Sequence, residues 1–221
     1  MKTFVLSLGG SIIVPDAVDV SFLKSFKELV LKHSDTRFVI VCGGGMTARK
    51  YQGAAKELEA GQDELDWIGV KATWLNAMLV KSMFDEAYEE MIVDPTAKLD
   101  TDARVIVGGG WKPGWSTDTD AVHLAKQLGA HALVNLSNID YAYTDDPNTN
   151  PDAKKLEKAT WPEFRAIVGD EFVPGGNYPF DPVASKLAEE IGLKVIIAKG
   201  TDLENLDNIL SEKEFKGTVI E

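Results

Sequence analysis

Short apolar runs alternate along the chain with longer amphipathic stretches. Apolar runs at residues 3–8, 37–42 and 104–107 each end at glycine, and a similar run occurs at 193–198. These runs are continuous rather than alternating, as expected of strands that are buried on both faces. The β–α alternation predicts an α/β fold, a three-layer αβα sandwich with a mainly parallel central sheet.

The amphipathic stretches predict helices between these strands. Residues 20–33 place one apolar face on a helix, formed by Phe22, Phe26, Leu29 and Val30. Residues 66–86 carry a second apolar stripe at helical spacing, formed by Ile68, Ala72, Leu75, Leu79 and Met83. A turn-rich stretch at 143–155 predicts a surface loop.

Charge and cysteine content narrow the class of protein. The net charge is −12, with no run of basic residues, which argues against a nucleic-acid partner or an anionic membrane surface. The apolar runs are far shorter than the ~18 residues of a membrane span. Cys42 is the single cysteine, so an intrachain disulfide is excluded, and a cytoplasmic location is expected.

Three glycine-rich loops follow three of the predicted strands, at residues 9–11, 43–45 and 108–110. Glycine lets the backbone approach a ligand closely, and a helix that begins after such a loop directs free N–H groups at an anion. A plain tight turn could explain one loop. Three loops at the carboxyl edge of a parallel sheet, where ligands bind in such folds, favour a phosphate site.

Other familiar site motifs are missing from the sequence. It contains no G-x-x-x-x-G-K-[ST], no G-x-G-x-x-G that opens a helix after a strand, no H-E-x-x-H and no G-x-S-x-G. His33, His123 and His131 lie apart without the spacing of metal ligands, which indicates structural or solvated roles. The sequence therefore predicts no protein-held metal site.

Several segments match a known family in order and spacing. They are SLGGSIIVP, VCGGGMTARKY, DWIGVKATWLNAM, GGWKPGWSTD, LSNIDYAYTDDP and FDPVASK. The most specific is Asn138-Ile139-Asp140, followed by Tyr143 and by Asp146-Pro147; the next is the GGG-x-x-x-R that ends at Arg49. Over nearly its whole length the chain resembles the amino-acid-kinase superfamily, and within it the archaeal-type UMP kinases.

The resemblance implies an ATP-dependent kinase in a single domain, residues 1–221, whose N-terminal part binds the acceptor UMP and whose C-terminal part binds ATP. It implies Mg²⁺ as a cofactor and a homohexamer as the assembly. The implied ATP-binding residues are Gly9, Gly10, Ser11, Gly45, Arg49, Ser137, Asn138, Tyr143 and Asp146. The implied UMP-binding residues are Gly44, Asp66, Gly110, Trp111, Lys112, Pro113, Gly114, Trp115, Ser116 and Thr117. The implied catalytic residues are Gly45, Arg49 and Asp181.

Phosphoryl transfer depends mainly on positioning and on neutralising charge. A nucleotide phosphate, with a second pKa near ~6, is already largely dianionic at neutral pH, so a dedicated general base is unnecessary. Backbone N–H groups, Mg²⁺ and a few basic side chains can supply positive potential. The candidate basic residues are Arg49, Lys112, Lys186 and Lys199.

The chain departs from the family pattern in ways that leave alternatives open. Ser7 stands where many members have lysine, Tyr141 where they have glycine, and residues 175–179 are also unlike them. Trp111 and Trp115 occupy the acceptor loop, where they could stack on a base. A kinase for isopentenyl phosphate, carbamate or an amino acid is one alternative, and a non-catalytic nucleotide- or oxyanion-binding storage protein is another.

The acidic residues also have plain structural explanations. Asp66 lies near the start of a predicted helix, where it would complement the helix dipole. Asp118 and Asp120 precede a helical stretch and could be simple helix caps.

Overall fold

The structure is a computed structural model that describes residues 1–147, 149–171 and 178–221. The strands are β1 Lys2–Leu8, β2 Thr36–Cys42, β3 Val105–Gly108, β4 Ala132–Ser137, β5 Ala142–Tyr143, β6 Lys155–Leu156, β7 Lys158–Ala159, β8 Val195–Lys199 and β9 Thr218–Ile220. The helices are α1 Gly10–Ile13, α2 Val20–Lys32, α3 Gly45–Glu57, α4 Gln62–Lys81, α5 Thr117–Leu128, α6 Trp161–Val168, α7 Pro182–Glu190 and α8 Leu203–Leu210. No helix in these ranges is long and apolar enough to cross a membrane.

A seven-stranded sheet, in the order β3-β2-β1-β4-β8-β9-β7, forms the middle layer. The five strands from β3 to β8 run parallel, which confirms the predicted α/β fold with a mainly parallel sheet. β9 is antiparallel to β8, and the two-residue β7 pairs with β9 at the far edge. At the other edge, Ala87 and Ile92 form isolated parallel bridges to β3.

Hydrophobic cores on both faces of the sheet confirm the three layers. Phe4, Leu6 and Leu8 of β1 point to one face, where they join the buried sides of α2 and α8. Val5 points to the opposite face, toward α5, α6 and α7. Successive side chains of a strand alternate between faces, so one continuous apolar strand serves both cores.

The α2 prediction is confirmed, whereas the second predicted stripe is only partly buried. Phe22, Phe26, Leu29 and Val30 are buried along α2, and Asp19 caps its first turn by accepting from the Phe22 N–H. The helix predicted at 66–86 is α4, which starts and ends earlier. Its buried residues are Val70, Ala72, Thr73, Asn76, Ala77 and Val80, whereas Leu75 and Leu79 of the predicted stripe are exposed.

Two glycine loops touch backbone to backbone at the carboxyl edge of the sheet. The Gly43 N–H donates to the Leu8 carbonyl at 2.9 Å, and Gly45 starts α3 with a φ of 59°. A Cβ on Gly10 would lie 2.0 Å from the Gly45 nitrogen and 2.6 Å from the Gly43 carbonyl carbon. The sequence needs glycine at position 10 because no side chain fits between the loops.

We expect Gly10→Ala to lower the free energy of unfolding by at least about 2 kcal/mol, because the loops must separate to admit a methyl group. Gly53→Ala is the matched control. Gly53 lies within α3 and a Cβ there meets nothing within 4 Å, so alanine should stabilise the helix by about 0.5–1 kcal/mol. Urea denaturation of both variants measures the difference, and equal midpoints would contradict the close-contact argument.

Candidate active site

The three glycine loops lie side by side at one edge of the sheet. Leu8 of β1 is in register with Cys42 of β2, and Val41 is in register with Gly108 of β3. The loop that follows each strand therefore begins at a similar height. This is the arrangement that the glycine pattern predicted for a phosphate site, although the roles assigned to individual residues stay predictions.

A buried asparagine connects α4 to the second glycine loop. Asn76 Nδ2 donates to the Gly43 carbonyl at 2.7 Å and to the Gly44 carbonyl at 3.1 Å. Its side chain is almost completely buried. The residue did not appear among the sequence-based candidates, because an asparagine inside an amphipathic helix gives no local sign that it binds a loop.

A pocket of about 180 Å³ opens between α4, α3 and the loop at residues 110–116. It brings together several predicted acceptor residues, namely Asp66, Gly110, Lys112, Pro113, Gly114 and Trp115. The sequence did not single out four further lining residues, Gln52, Gly69, Val70 and Thr73. Three of the four follow Asp66 at helical spacing on α4, which is the signal that could have found them.

The predicted acceptor residues that do not line this pocket are Gly44, Trp111, Ser116 and Thr117. A larger groove of about 710 Å³ lies beside α8 and β9 and holds none of the predicted site residues. The candidate site is therefore chosen by its position at the carboxyl edge of the sheet and not by cavity volume.

Thr73 and Trp74 of α4 fix the start of the acceptor loop. Thr73 Oγ1 accepts from the Gly110 N–H at 2.7 Å and donates to the Val70 carbonyl at 2.6 Å. Trp74 Nε1 donates to the Gly110 carbonyl at 2.6 Å. Trp74 thus packs within the chain, while Trp67 is exposed.

The two tryptophans of the acceptor loop pack on each other and on neighbouring side chains. Lys112 Nζ lies 3.8 Å from the Trp111 ring centroid and 4.8 Å from that of Trp115. The two indoles meet edge to face at 4.6 Å, and Trp115 stacks on His123 at 5.0 Å. Both rings that were predicted to stack on a base therefore already contact other side chains. His123 packs against Trp115, which agrees with the structural role indicated by its isolation in the sequence.

The predicted ATP-binding residues lie along the same edge. Gly9 follows β1 and its N–H donates to the Leu136 carbonyl at 2.9 Å. Ser137 ends β4 in register with Lys199, and its carbonyl accepts from the Gly200 N–H at 2.7 Å. Asn138 is exposed beside it, and Tyr143 lies on the short β5–β6 hairpin.

The remaining predicted ATP-binding residues have these positions. Ser11 is half-buried in α1, and Arg49 is exposed on α3. The carbonyl of Asp146 accepts from the Thr149 and Asn150 N–H groups beyond the hairpin strand. Of the unusual segment at 175–179, residues 175–177 lie outside the described part of the chain, and the Pro179 carbonyl accepts from Asn135.

Three carboxyl groups converge between the first glycine loop and the acceptor loop. Ser7 Oγ donates to Asp118 Oδ1 at 2.8 Å, and the Asp181 N–H donates to Asp118 Oδ2 at 3.3 Å. Asp181 caps α7 by accepting from the Ala184 N–H at 2.7 Å. Asp120 Oδ2 accepts from the Trp111 N–H at 3.1 Å.

The suggestion that Asp118 and Asp120 are simple caps is wrong. Ser116 caps α5, because its side chain accepts from the Thr119 N–H at 3.1 Å. Asp118 and Asp120 lie inside the first turn, directed at Ser7 and at the acceptor loop. The signal available in the sequence was two acids two residues apart directly after a glycine-rich loop.

Burial and mutual repulsion raise the affinity of this cluster for protons. Desolvation raises the pKa of Asp118 to about 6, with a further increase from the nearby Asp181 that the Ser7 hydrogen bond opposes. Desolvation raises the pKa of Asp120 to about 7, and Asp118, Asp94 and Asp181 add to the rise. The pKa of Asp181 is also raised, mainly by burial.

The positively charged side chains near the candidate site lie at its rim. Lys112 belongs to the acceptor pocket, and Lys199 Nζ lies 3.9 Å from Asp140 Oδ2 at the end of β8. Arg49 and Lys186 are exposed on α3 and α7. The arrangement can hold two anionic groups next to each other, one over the glycine loops and one in the pocket.

Comparison with known proteins agrees with this geometry. A profile described as the amino acid kinase family matches residues 2–199. The uridylate kinase of Pyrococcus abyssi is 36% identical over 222 residues, 98% of each chain, and that of Methanospirillum hungatei is 35% identical over 100% of this chain and 95% of its own.

Solved structures extend the likeness to three dimensions. The uridylate kinase of Archaeoglobus fulgidus superposes with a TM-score of 0.85 at 33% identity, with 100% of both chains covered. The UMP kinase of Ureaplasma parvum gives a TM-score of 0.77 at 19% identity, covering 100% of this chain and 98% of its own, a likeness of fold alone. The resemblance inferred from the sequence motifs is confirmed, and the chain belongs to the amino acid kinase family.

Proposed function

We propose that this chain is a UMP kinase, which transfers the γ-phosphoryl group of ATP to UMP and produces UDP and ADP. The observation that carries the proposal is the backbone contact between the loops at residues 9–10 and 43–45, beside a pocket that contains Asp66 and Lys112. The full-length similarity to uridylate kinases supports the choice of acceptor.

The proposed reaction is a direct in-line displacement. The oxygen of the acceptor phosphate attacks the γ-phosphorus, the bond from that phosphorus to the β–γ bridging oxygen breaks, and ADP leaves. The glycine loops and the N–H groups in the first turn of α3 other than that of Met46, which donates to the Val14 carbonyl at 3.0 Å, would bind the phosphate oxygens. In such a mechanism, most of the rate enhancement over the uncatalysed reaction comes from positioning the two phosphates side by side.

The donor and acceptor residues follow the division implied by the resemblance. Gly9, Gly10 and Ser11 would lie along the ATP phosphates, while Ser137, Asn138, Tyr143 and Asp146 would hold the base and ribose. Gly44, Asp66 and the loop from Gly110 to Thr117 would hold UMP. Gly45, Arg49 and Asp181 would lie nearest the transferred group. A single domain for residues 1–221 and a cytoplasmic location remain predictions.

The described side chains do not form a binding site for Mg²⁺ on their own. Among the described residues, no group of three or more His, Cys, Asp or Glu side chains could hold a metal ion. The side chains therefore do not fit a site of that kind. Mg²⁺ that is bound chiefly by the nucleotide's own phosphates would suit its chemistry, since the ion keeps few protein ligands in kinases.

The acceptor is tested by measuring ADP release with UMP, CMP, AMP and GMP in turn. We expect UMP to give the highest kcat/KM. Equal or lower turnover of UMP would contradict the proposal. A shift of thermal stability with ATP, without phosphate transfer to any of the four, would instead support the storage-protein alternative.

Asp66→Asn tests the acceptor pocket within that assay. We expect the KM for UMP to rise about tenfold with the KM for ATP nearly unchanged, because a charge-assisted hydrogen bond to the acceptor is weakened. Asp63→Asn is the matched control, since Asp63 lies on the same helix at an exposed position outside the pocket. A similar rise for both variants would indicate a general effect on α4.

We also propose that the chain forms a homo-oligomer through the outer face of α4; a hexamer is the assembly that the resemblance implies. Leu75 is 63% exposed and Met78 is 55% exposed, and Leu79 lies beside them. Large apolar side chains grouped on one helix face are typical of a protein interface.

Light scattering after gel filtration measures the assembly. We expect the native protein to exceed the mass of one chain, and Leu75→Glu combined with Met78→Glu to reduce that mass, because the charges cannot be buried unpaired. Leu31→Glu on α2 is the control, an exposed leucine on another helix. An unchanged mass in the double variant would rule out this face as the interface.

A further inference from the structure

The side chain of Asp120 is fully buried and accepts a single hydrogen bond from the described part of the chain. Its side chain is 0% exposed, and Oδ2 accepts from the Trp111 N–H at 3.1 Å. Oδ1 has no hydrogen-bond partner among the described residues. A buried carboxylate oxygen without a partner is costly, so the position requires an explanation beyond packing.

The bond to Trp111 attaches the acceptor loop to α5. The start of the loop is fixed at Gly110 by Thr73 and Trp74, and its end is fixed where Ser116 caps α5. Between these points, the bond to Asp120 is the one hydrogen bond that the loop backbone makes with another element of the described chain. Asp120 therefore attaches the loop to α5 at Trp111, directly after the fixed start at Gly110.

That attachment reaches the pocket through the side chains of the loop. The Trp111 ring lies against Lys112 Nζ, and the same ammonium group lies against Trp115. Lys112 and Trp115 line the pocket with Asp66. A displacement of the backbone at Trp111 would move this packed group, and the acceptor pocket would change shape.

The charges around Asp120 are predominantly negative. Asp118 on the same helix, Asp181 at the start of α7 and Asp94 in the segment before β3 all act against its charge. Lys112 acts on Asp94, and His123 is one turn further along α5, also within reach of Asp94. With burial as the main cause, the pKa of Asp120 rises to about 7, so both protonation states are populated near neutral pH.

Resting on the proposed function, we propose that Asp120 is a positioning residue for the acceptor, whose charged carboxylate holds the Trp111 backbone and whose protonation loosens the acceptor loop. A hydrogen bond to a carboxylate is roughly twice as strong as one to a neutral carboxyl group. The loop is therefore held most firmly above the pKa of Asp120. The hold weakens as the pH falls through that value.

The first test observes the loop without any substrate. The chain contains five tryptophans, so labelling with ¹⁵N-tryptophan gives few backbone amide signals. We expect the Trp111 amide proton to shift with a midpoint near pH 7 in the native protein and to lose most of that shift in Asp120→Asn. The Trp161 amide, which belongs to α6, serves as the internal reference.

The second test separates positioning from chemistry. At about pH 8 we expect Asp120→Asn to raise the KM for UMP about tenfold, with kcat and the KM for ATP within about twofold of native values. At about pH 6 the two proteins should converge, because the native Asp120 is then largely protonated. Titration of the UMP phosphate affects both proteins equally and cancels in their ratio.

Asp102→Asn, at an exposed position, is the control for loss of one acidic group. A Trp111 amide that does not titrate, or that titrates equally in Asp120→Asn, would overturn the proposal, as would a KM ratio that is the same at both pH values. A native protein that does not phosphorylate UMP would instead contradict the proposed function. The amide titration would still decide whether Asp120 holds the loop.

Discussion

Two stretches of bare backbone, at residues 9–10 and 43–45, lie in direct contact, and the rest of the site depends on that contact. Gly10 lies so close to Gly43 and Gly45 that no Cβ fits between them. The contact fixes where α3 begins, and Asn76 then ties the same loop to α4. Because α4 also holds Gly110 through Thr73 and Trp74, the first and third loops are linked by way of the second.

The electrostatics of this edge are unusual for a site that would bind two polyanions. Asp118, Asp120 and Asp181 lie together, and the nearest side-chain partner of Asp118 is the neutral hydroxyl of Ser7. A hydroxyl can donate a hydrogen bond but cannot offset a charge. Burial raises the pKa values of these carboxyl groups, so the cluster is partly protonated near neutral pH. Protonation lowers the negative charge near a bound phosphate.

Much of the architecture could be predicted from sequence, because its signals are local. Continuous apolar strands, the buried face of α2 and the glycine loops each follow from residues close together in the chain. The reversed direction of β9 could not, since strand direction depends on a partner, β8, that pairs without a short hairpin. The stripe that includes Leu75 and Leu79 was seen, but periodicity alone does not say which of two apolar faces of a helix is buried.

Site residues that belong to contiguous sequence motifs could be predicted. Residues whose role depends on contacts between segments far apart in the sequence could not. Asp66 and the loop at 110–115 meet in one pocket as expected. Asn76 and Thr73 were missed, and Asp120 was interpreted as a helix cap, because each acts on backbone that is far away along the chain or belongs to a different element. The tryptophans of the loop were recognised as unusual, but their mutual packing around Lys112 depends on three-dimensional placement.

The two edges of the sheet have a consequence for solubility. An edge strand with free N–H and C=O groups invites a strand from another molecule, and proteins limit that hazard by shortening or covering the edge. Here one edge is β7, only two residues long, and the other is β3, against which Ala87 and Ile92 already form bridges. Uncontrolled strand addition is thereby discouraged, so a concentrated solution of this acidic chain should resist fibrillar aggregation.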